Sequence, residues 1–316
     1  MSKQTILGEI SAQQFLAEYW QQKPLLIRNA LPDFESPLSP DDLAGLALDD
    51  DIESRIILEQ GPSSSWELLC GPFEEQIFHE LPKDKWTLLV QAVDLWVPEV
   101  KQLLEHFSFL PPWRLDDIMV SYAPEGGSVG PHFDYYDVFL IQGYGQRRWQ
   151  IGGHSEQQKC NEESPRVGGT PLRILDNFDP LEDWLLNPGD ILYLPPQVAH
   201  HGVAVGESMT YSVGFRAPTA AEMLGDLATE LLARPNSPHY QDPVLTPGMA
   251  SEMISPEFIG QARKLLNNIL EDDALLADWF ARYMTTPKYP ELVEETDERR
   301  VARTQLRKYV NGDIVT

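Results

Sequence analysis

In Gly130-Pro131-His132-Phe133-Asp134 an imidazole and a carboxylate stand two residues apart, and on an extended chain that spacing turns both side chains to one face. Imidazole nitrogen and carboxylate oxygen together suit a divalent transition metal. Far downstream, Pro195-Pro196-Gln197-Val198-Ala199-His200-His201 supplies another imidazole just after a strand-like run. Two histidines and one carboxylate on one side of an ion leave the opposite positions open, which is the facial arrangement of non-haem iron(II) oxygenases. Neighbouring residues of a strand face opposite ways, so one of His200 and His201 completes the set with His132 and Asp134, and spacing alone does not say which. The other histidines, His79, His106, His154 and His239, have no comparable neighbours and read as surface or packing residues.

A second anchor follows in Gln146-Arg147-Arg148-Trp149-Gln150-Ile151, where period-two alternation puts Arg147 on the apolar face of Trp149 and Ile151. A buried guanidinium requires an anionic partner, since burying it alone costs several kcal/mol. The partner is an acidic side chain or, given the triad, the far carboxylate of a 2-oxoglutarate cosubstrate, for which arginine offers a bidentate fork. Ser121, inside the candidate strand Ile118–Ala123, can donate a hydroxyl to the same carboxylate or serve the backbone.

These residues need a scaffold, and the region from Arg114 to Arg216 has the pattern of one: short alternating runs separated by Gly, Pro and Asn clusters, as in a β-sandwich, jelly roll or barrel. Candidate strands are Ile118–Ala123, Tyr136–Gln142, Gln146–Ile151, Ile191–Leu194 and Met209–Phe215, with a turn at Asn187-Pro188-Gly189-Asp190. Before this body, Ser11 with Gln14 opens a helix that Pro24 ends, Leu25-Leu26-Ile27 reads as a strand, and Ser39-Pro40-Asp41-Asp42 reads as another helix start. The segment Trp86 to Phe107 carries apolar residues at helical spacing, interrupted by Pro98. After the body, Thr219 and Glu222 cap a helix running towards Pro235, and Ser255-Pro256 opens a helical region reaching Tyr283 with a break near Glu271-Asp272-Asp273. Its apolar stripe packs on the barrel or forms a dimer face.

Composition narrows the class. The 316 residues are 42% hydrophobic and 23% charged, ordinary for a folded soluble protein, and no run approaches the roughly 20 apolar residues that span a bilayer. With no signal-peptide pattern at the N-terminus, a cytoplasmic location and no membrane partner are expected. Cys70 and Cys160 make neither a disulfide framework nor a C-x-x-C metal site. The 49 acidic against 24 basic residues give a net charge of −25, which disfavours direct nucleic-acid binding and favours a basic partner. Gly126-Gly127-Ser128-Val129-Gly130 lacks the G-K-[ST] of a P-loop and precedes no helix.

The run from Trp113 through DDIMVSYAPEGGSVGPHFDYYDVFLIQGYGQRRW, with NPGDILYLPPQVAHHG and YSVGFRAP, resembles the JmjC-type ribosomal oxygenases, bacterial members of which hydroxylate an arginine of a large-subunit ribosomal protein. KPLLI and WTLLVQAVDLW extend the resemblance into the N-terminal part. It implies a mainly β fold with helical additions: a double-stranded β-helix (jelly roll, cupin/JmjC-like) core followed by an α-helical dimerisation segment. The implied layout is an N-terminal mixed α/β region over 1–98, the catalytic domain over 99–218, a helical dimerisation region over 219–286, and a linker or the start of a winged-helix-like domain over 287–316. His132, Asp134 and His200 fall on the family's iron(II) ligands, His201 stands where the family carries an acidic residue, and Arg147 and Ser121 fall on its 2-oxoglutarate contacts. The implied reaction uses iron(II), 2-oxoglutarate and O2 to hydroxylate the β-carbon of an arginine in a basic ribosomal protein, and the implied assembly is a homodimer. Asp116, Asp117, Tyr135, Tyr136 and Asp137 flank the metal motif and are candidates to hold the guanidinium. Two other readings use the same residues: a JmjC-type demethylase of a basic protein, and a non-catalytic cupin-like binding protein for a basic partner.

Overall fold

The computed structural model describes residues 6–59, 66–235, 237–249, 252–293, 300–305 and 307–315. The chain divides into two compact units, Met1–Ala217 and Pro218–Thr316.

The first unit begins with helix α1 (Ala12–Glu18), where the Ser11 hydroxyl oxygen accepts from the Gln14 amide. Strand β1 (Leu25–Ile27) and helix α2 (Pro40–Leu46) follow. Ser39 and Asp42 complete a reciprocal capping box at α2, with Pro40 in its first turn. Next come β2 (Ser54–Leu58), β3 (Glu67–Cys70), α3 (Glu75–Glu80), β4 (Trp86–Val90), α4 (Pro98–Gln102), β5 (Leu115–Ala123), β6 (Val138–Ile151), β7 (Glu182–Leu186), β8 (Ile191–Leu194) and β9 (His200–Phe215). They form one nine-stranded sheet in the order β1-β8-β6-β9-β5-β4-β2-β3, with β7 also pairing β6. Strands from the first ninety residues thus run in the same sheet as those of the metal motif.

Two expectations are corrected. The segment from Trp86 does not start a helix: Trp86–Val90 is strand β4, hydrogen-bonded between β2 and β5 with all five residues buried. A strand covered on both faces loses polar alternation, so its apolar residues also satisfy a helical spacing. Pro98 occupies the first turn of α4 rather than interrupting a helix. The strands expected at Tyr136–Gln142 and Gln146–Ile151 are one strand, β6, whose pairing with β9 shifts register at Gln142/Tyr144 and again at Gly145/Gln146. Gly145 sits at φ +60°, and a Cβ there would lie 1.8 Å from the Glu207 carbonyl oxygen, so glycine is required where the strand bends.

β6 carries apolar side chains on both faces. Phe139 and Ile141 belong to the main core, where the Phe139 ring meets Phe15, Phe107, Phe109, Tyr193 and Phe215. Val138, Leu140, Trp149 and Ile151 belong to a smaller cluster with Leu186, Leu192, Leu194 and Val198. It is this second face that meets the metal motif.

The second unit holds α5 (Ala220–Leu232), α6 (Pro256–Leu270), α7 (Asp273–Thr285) and a three-stranded antiparallel sheet of β10 (Val301–Arg303), β11 (Lys308–Val310) and β12 (Asp313–Val315). Thr219 and Glu222 form a capping box at α5, and the break between α6 and α7 falls at Glu271-Asp272. The small sheet had no signature in the sequence. Among the described residues no helix is long and apolar enough to cross a membrane, and both cysteines are free.

Candidate active site

The metal motif lies between β5 and β6 and is joined to the start of β9 by a local antiparallel pair: the His132 amide donates to the His200 carbonyl at 3.0 Å, and the His200 amide to the His132 carbonyl at 2.8 Å. Backbone pairing therefore sets the two imidazoles side by side, their ring centroids 4.3 Å apart. Asp134 Oδ2 lies 3.9 Å from His132 Nε2 and 3.7 Å from His200 Nε2. Both spans are shorter than two coordination bonds of roughly 2.1 Å laid end to end, so one ion reaches all three atoms. Among the described residues these are the three grouped as a possible metal site.

The remaining ring nitrogens fix the tautomers. His132 Nδ1 lies 2.9 Å from the Gly130 carbonyl and His200 Nδ1 2.9 Å from the Val198 carbonyl. A carbonyl only accepts, so each Nδ1 donates and each Nε2 keeps a lone pair for a metal. Burial, with His132 close by, lowers the pKa of His200 to about 4, which keeps it neutral. His201 turns away and packs its ring edge-on to Phe178. Burial lowers it to about 4 as well.

The triad opens on a cavity of about 90 Å³ that also receives Ser121, Tyr136, Arg147, Trp149, Thr210 and Ser212. Register places them: Ser121 pairs with Thr210 and Met119 with Ser212 across β5 and β9, while Trp149 pairs with Gly202 and Arg147 with Ala204 across β6 and β9. Arg147 is 2% exposed, and burial lowers its pKa to about 10, leaving it cationic at neutral pH. Its Nη2 donates to the Gly202 carbonyl at 3.2 Å, whereas Nε and Nη1 have no hydrogen-bond partner among the described residues. Among the described residues no acidic side chain pairs with it as the internal partner considered from sequence. A buried cation with unmatched donors beside open coordination positions fits a dicarboxylate whose other end chelates the ion. Ser121 points its hydroxyl at the Thr210 carbonyl over 3.4 Å, a weak contact that leaves it available to a ligand.

The five expected substrate residues separate. Tyr136 lines the cavity, and its hydroxyl bonds to Asp134, whose charge together with burial holds the phenol well above its ordinary pKa. Asp117 is buried just beyond it and accepts from Gln91 Nε2 at 3.0 and 2.9 Å. Asp116 lies 4.0 Å from Arg216 Nε, and Tyr135 packs edge-on to Phe133 outside the cavity lining. Asp137 is the correction: it is fully buried and holds the fold, accepting from Tyr193 at 2.6 Å, Gln21 at 3.0 Å and Arg114 at 3.2 Å. Thr210, Ser212 and Met119 were not singled out in the sequence. Their period-two spacing on β9 and β5 was the available signal.

The model of the JmjC domain family matches residues 102–223. The chain is 36% identical to Escherichia coli ribosomal protein uL16 3-hydroxylase over 87% of its own length and 71% of that protein's. The chain belongs to the JmjC-domain ribosomal oxygenases. A second member of these oxygenases, the Haemophilus influenzae protein named "Probable ribosomal oxygenase", is 38% identical over 84% of this chain, which spans 61% of that relative's length. The structure of the Escherichia coli ribosomal oxygenase YcfD with cobalt and 2-oxoglutarate superposes with a TM-score of 0.81 at 32% identity, covering 97% of this chain and 86% of that one. The fold of the JmjC oxygenases is thus this chain's fold, double-stranded β-helix included.

Proposed function

We propose that this chain is an iron(II)- and 2-oxoglutarate-dependent protein hydroxylase acting on the β-carbon of an arginine in a basic protein of the large ribosomal subunit. The observation that carries the reading is one cavity holding both a three-ligand metal set with open positions and a buried arginine with unmatched donors. A closed structural metal site has no use for the second anchor. The substrate class is supported by the name of the Escherichia coli relative and by the chain's net charge of −25.

His132, Asp134 and His200 would hold the ion, and Arg147 with Ser121 would hold the far carboxylate of 2-oxoglutarate. Bound iron(II) and 2-oxoglutarate supply the oxidising power for a C–H bond when O2 reacts with them. The chain's own work is positioning. His132 and His200 present Nε2, and the apolar lining of Leu89, Met119, Val138 and Leu140 keeps bulk water out. Tyr136 on the cavity wall would meet an entering guanidinium, and the Asp117 carboxylate, buried beyond it, would add negative charge. Asp116 and Tyr135 are proposed at the outer edge of that entry. The reaction is placed in the cytoplasm, without direct contact to nucleic acid.

Self-association is proposed through α6. It has no buried residue, and Ile259, Leu266 and Leu270 are 48%, 59% and 46% exposed along one face. Leu266→Glu is expected to halve the mass seen by sedimentation, and an unchanged mass would remove this face from consideration.

The deciding experiment is anaerobic iron(II) loading followed by 2-oxoglutarate turnover with and without the ribosomal protein, for wild type, Asp134→Ala and Arg147→Ala. Succinate formation that requires Asp134, weakens at least about tenfold with Arg147→Ala, and adds one oxygen to the substrate is the expected result. Metal binding without any 2-oxoglutarate consumption, whatever the basic substrate, would favour a binding protein, and formaldehyde release would favour a demethylase.

A further inference from the structure

Gly202 lies on β9 two residues beyond His200, directly opposite Trp149. Its φ is not in the left-handed region, so the backbone itself accepts any residue there. Space is what excludes a side chain. A Cβ on Gly202 would sit 2.7 Å from Cη2 and Cζ3 of Trp149 and 2.8 Å from Nε of Arg147, closer than carbon approaches such atoms. The benzo edge of the indole fills the hollow that the missing Cβ leaves. Arg147 then lies over the indole face, with its Cζ 5.3 Å from the ring centroid, and it donates Nη2 to the Gly202 carbonyl. The same indole also meets His200, centroid to centroid at 5.9 Å. Trp149 is 5% exposed and packed in the small core, so it cannot swing aside cheaply.

We propose that Gly202 and Trp149 are positioning residues for the cosubstrate: together they form a seat that aims the remaining donors of the Arg147 guanidinium into the cavity and fixes their distance from the metal histidines. The proposal rests on the reading of Arg147 as the 2-oxoglutarate anchor. In that geometry the indole is a shelf shared by the carboxylate end and the metal end of the ligand. The Gly202 carbonyl takes one of the two hydrogens on Nη2, so the other stays available to complete a fork with an adjacent free donor. Filling the glycine hollow displaces the shelf, and the guanidinium moves with it.

The test is calorimetric titration of the full chain, loaded with manganese(II) under argon, with 2-oxoglutarate and separately with 2-oxobutyrate, which keeps the chelating end but lacks the far carboxylate. Misaligning a charge-assisted fork weakens it by about tenfold or more, so Gly202→Ala is expected to raise the 2-oxoglutarate Kd by that factor. The Kd values for 2-oxobutyrate and for manganese stay at the wild-type level. Phenylalanine ends short of the two colliding carbons but leaves the approach to Arg147 Nε, so Gly202→Ala is expected to cost less in the Trp149→Phe background than in the wild type. An equal cost in both backgrounds overturns the shelf role of Trp149. Unchanged 2-oxoglutarate binding in Gly202→Ala overturns the seat, and so does an equal loss for both ligands. Arg147→Ala separates the two levels. If it fails to discriminate the ligands, the anchor reading falls and the seat with it; if it discriminates and Gly202→Ala does not, only the seat falls. Should Gly202→Ala not fold, Trp149→Leu decides by the same selective loss or its absence.

Discussion

His200 and His201 stay neutral in the folded metal-free protein down to about pH 4, whereas in the unfolded chain they titrate near 6.5. Between those values the unfolded chain takes up protons that the native state refuses, so stability falls as the pH drops from 6.5 towards 4. Each histidine contributes a slope of about 1.4 kcal/mol per pH unit inside that window. Melting of the metal-free protein at several pH values is expected to show this decline, and His201→Gln should remove one proton from it without abolishing metal binding. Asp137 behaves differently. Replacing it by alanine strands the buried ends of Arg114 and Tyr193, and the expected cost is about 3 kcal/mol in urea unfolding. Sequence spacing was enough to bring His132 and Asp134 to one face. It could not distinguish Asp137 from Asp117, because both are acids near the motif and only the convergence of Gln21, Arg114 and Tyr193 on Asp137 turns it into a structural group.

Element boundaries were legible where a capping side chain or a proline marked them. Ser39, Thr219 and Pro256 each start a helix at the expected place. Thr219→Ala removes the two bonds that the Thr219 hydroxyl makes with Glu222, and a loss of about 1 kcal/mol from the second unit is expected in its thermal unfolding. Strands were harder to read. Trp86–Val90 carries no alternation because both of its faces are covered, and β6 looked like two strands because Gly143 and Gly145 interrupt the pattern without ending the pairing. β7 escaped because its outward residues Glu182 and Asp183 give it the look of a loop. Where β6 passes through the aromatic core, Phe139→Ala should cost about 3–5 kcal/mol, measurable by denaturant unfolding, since five rings lose a partner.

For the whole molecule the dominant physical fact is the net charge of −25. With a basic protein as substrate, KM is expected to rise several-fold between roughly 0.05 and 0.5 M salt while kcat holds, because screening shortens the reach of the acidic field to about 4 Å at the upper value. Charge was fully legible in the composition. The sheet order was not, since nothing local tells Leu25-Leu26-Ile27 that its partner is Ile191–Leu194. That pairing, Leu25 with Tyr193 and Ile27 with Ile191, has a temporal consequence. On the translating ribosome the opening strand leaves the exit tunnel long before its partner exists, and at ~5–20 residues per second it waits on the order of ten seconds or more. During that interval Leu25, Leu26 and Ile27 have no edge to join, and β9, which lies between β6 and β5, emerges later still, so the sheet that carries the metal ligands closes at its centre only after both of its flanks have been made.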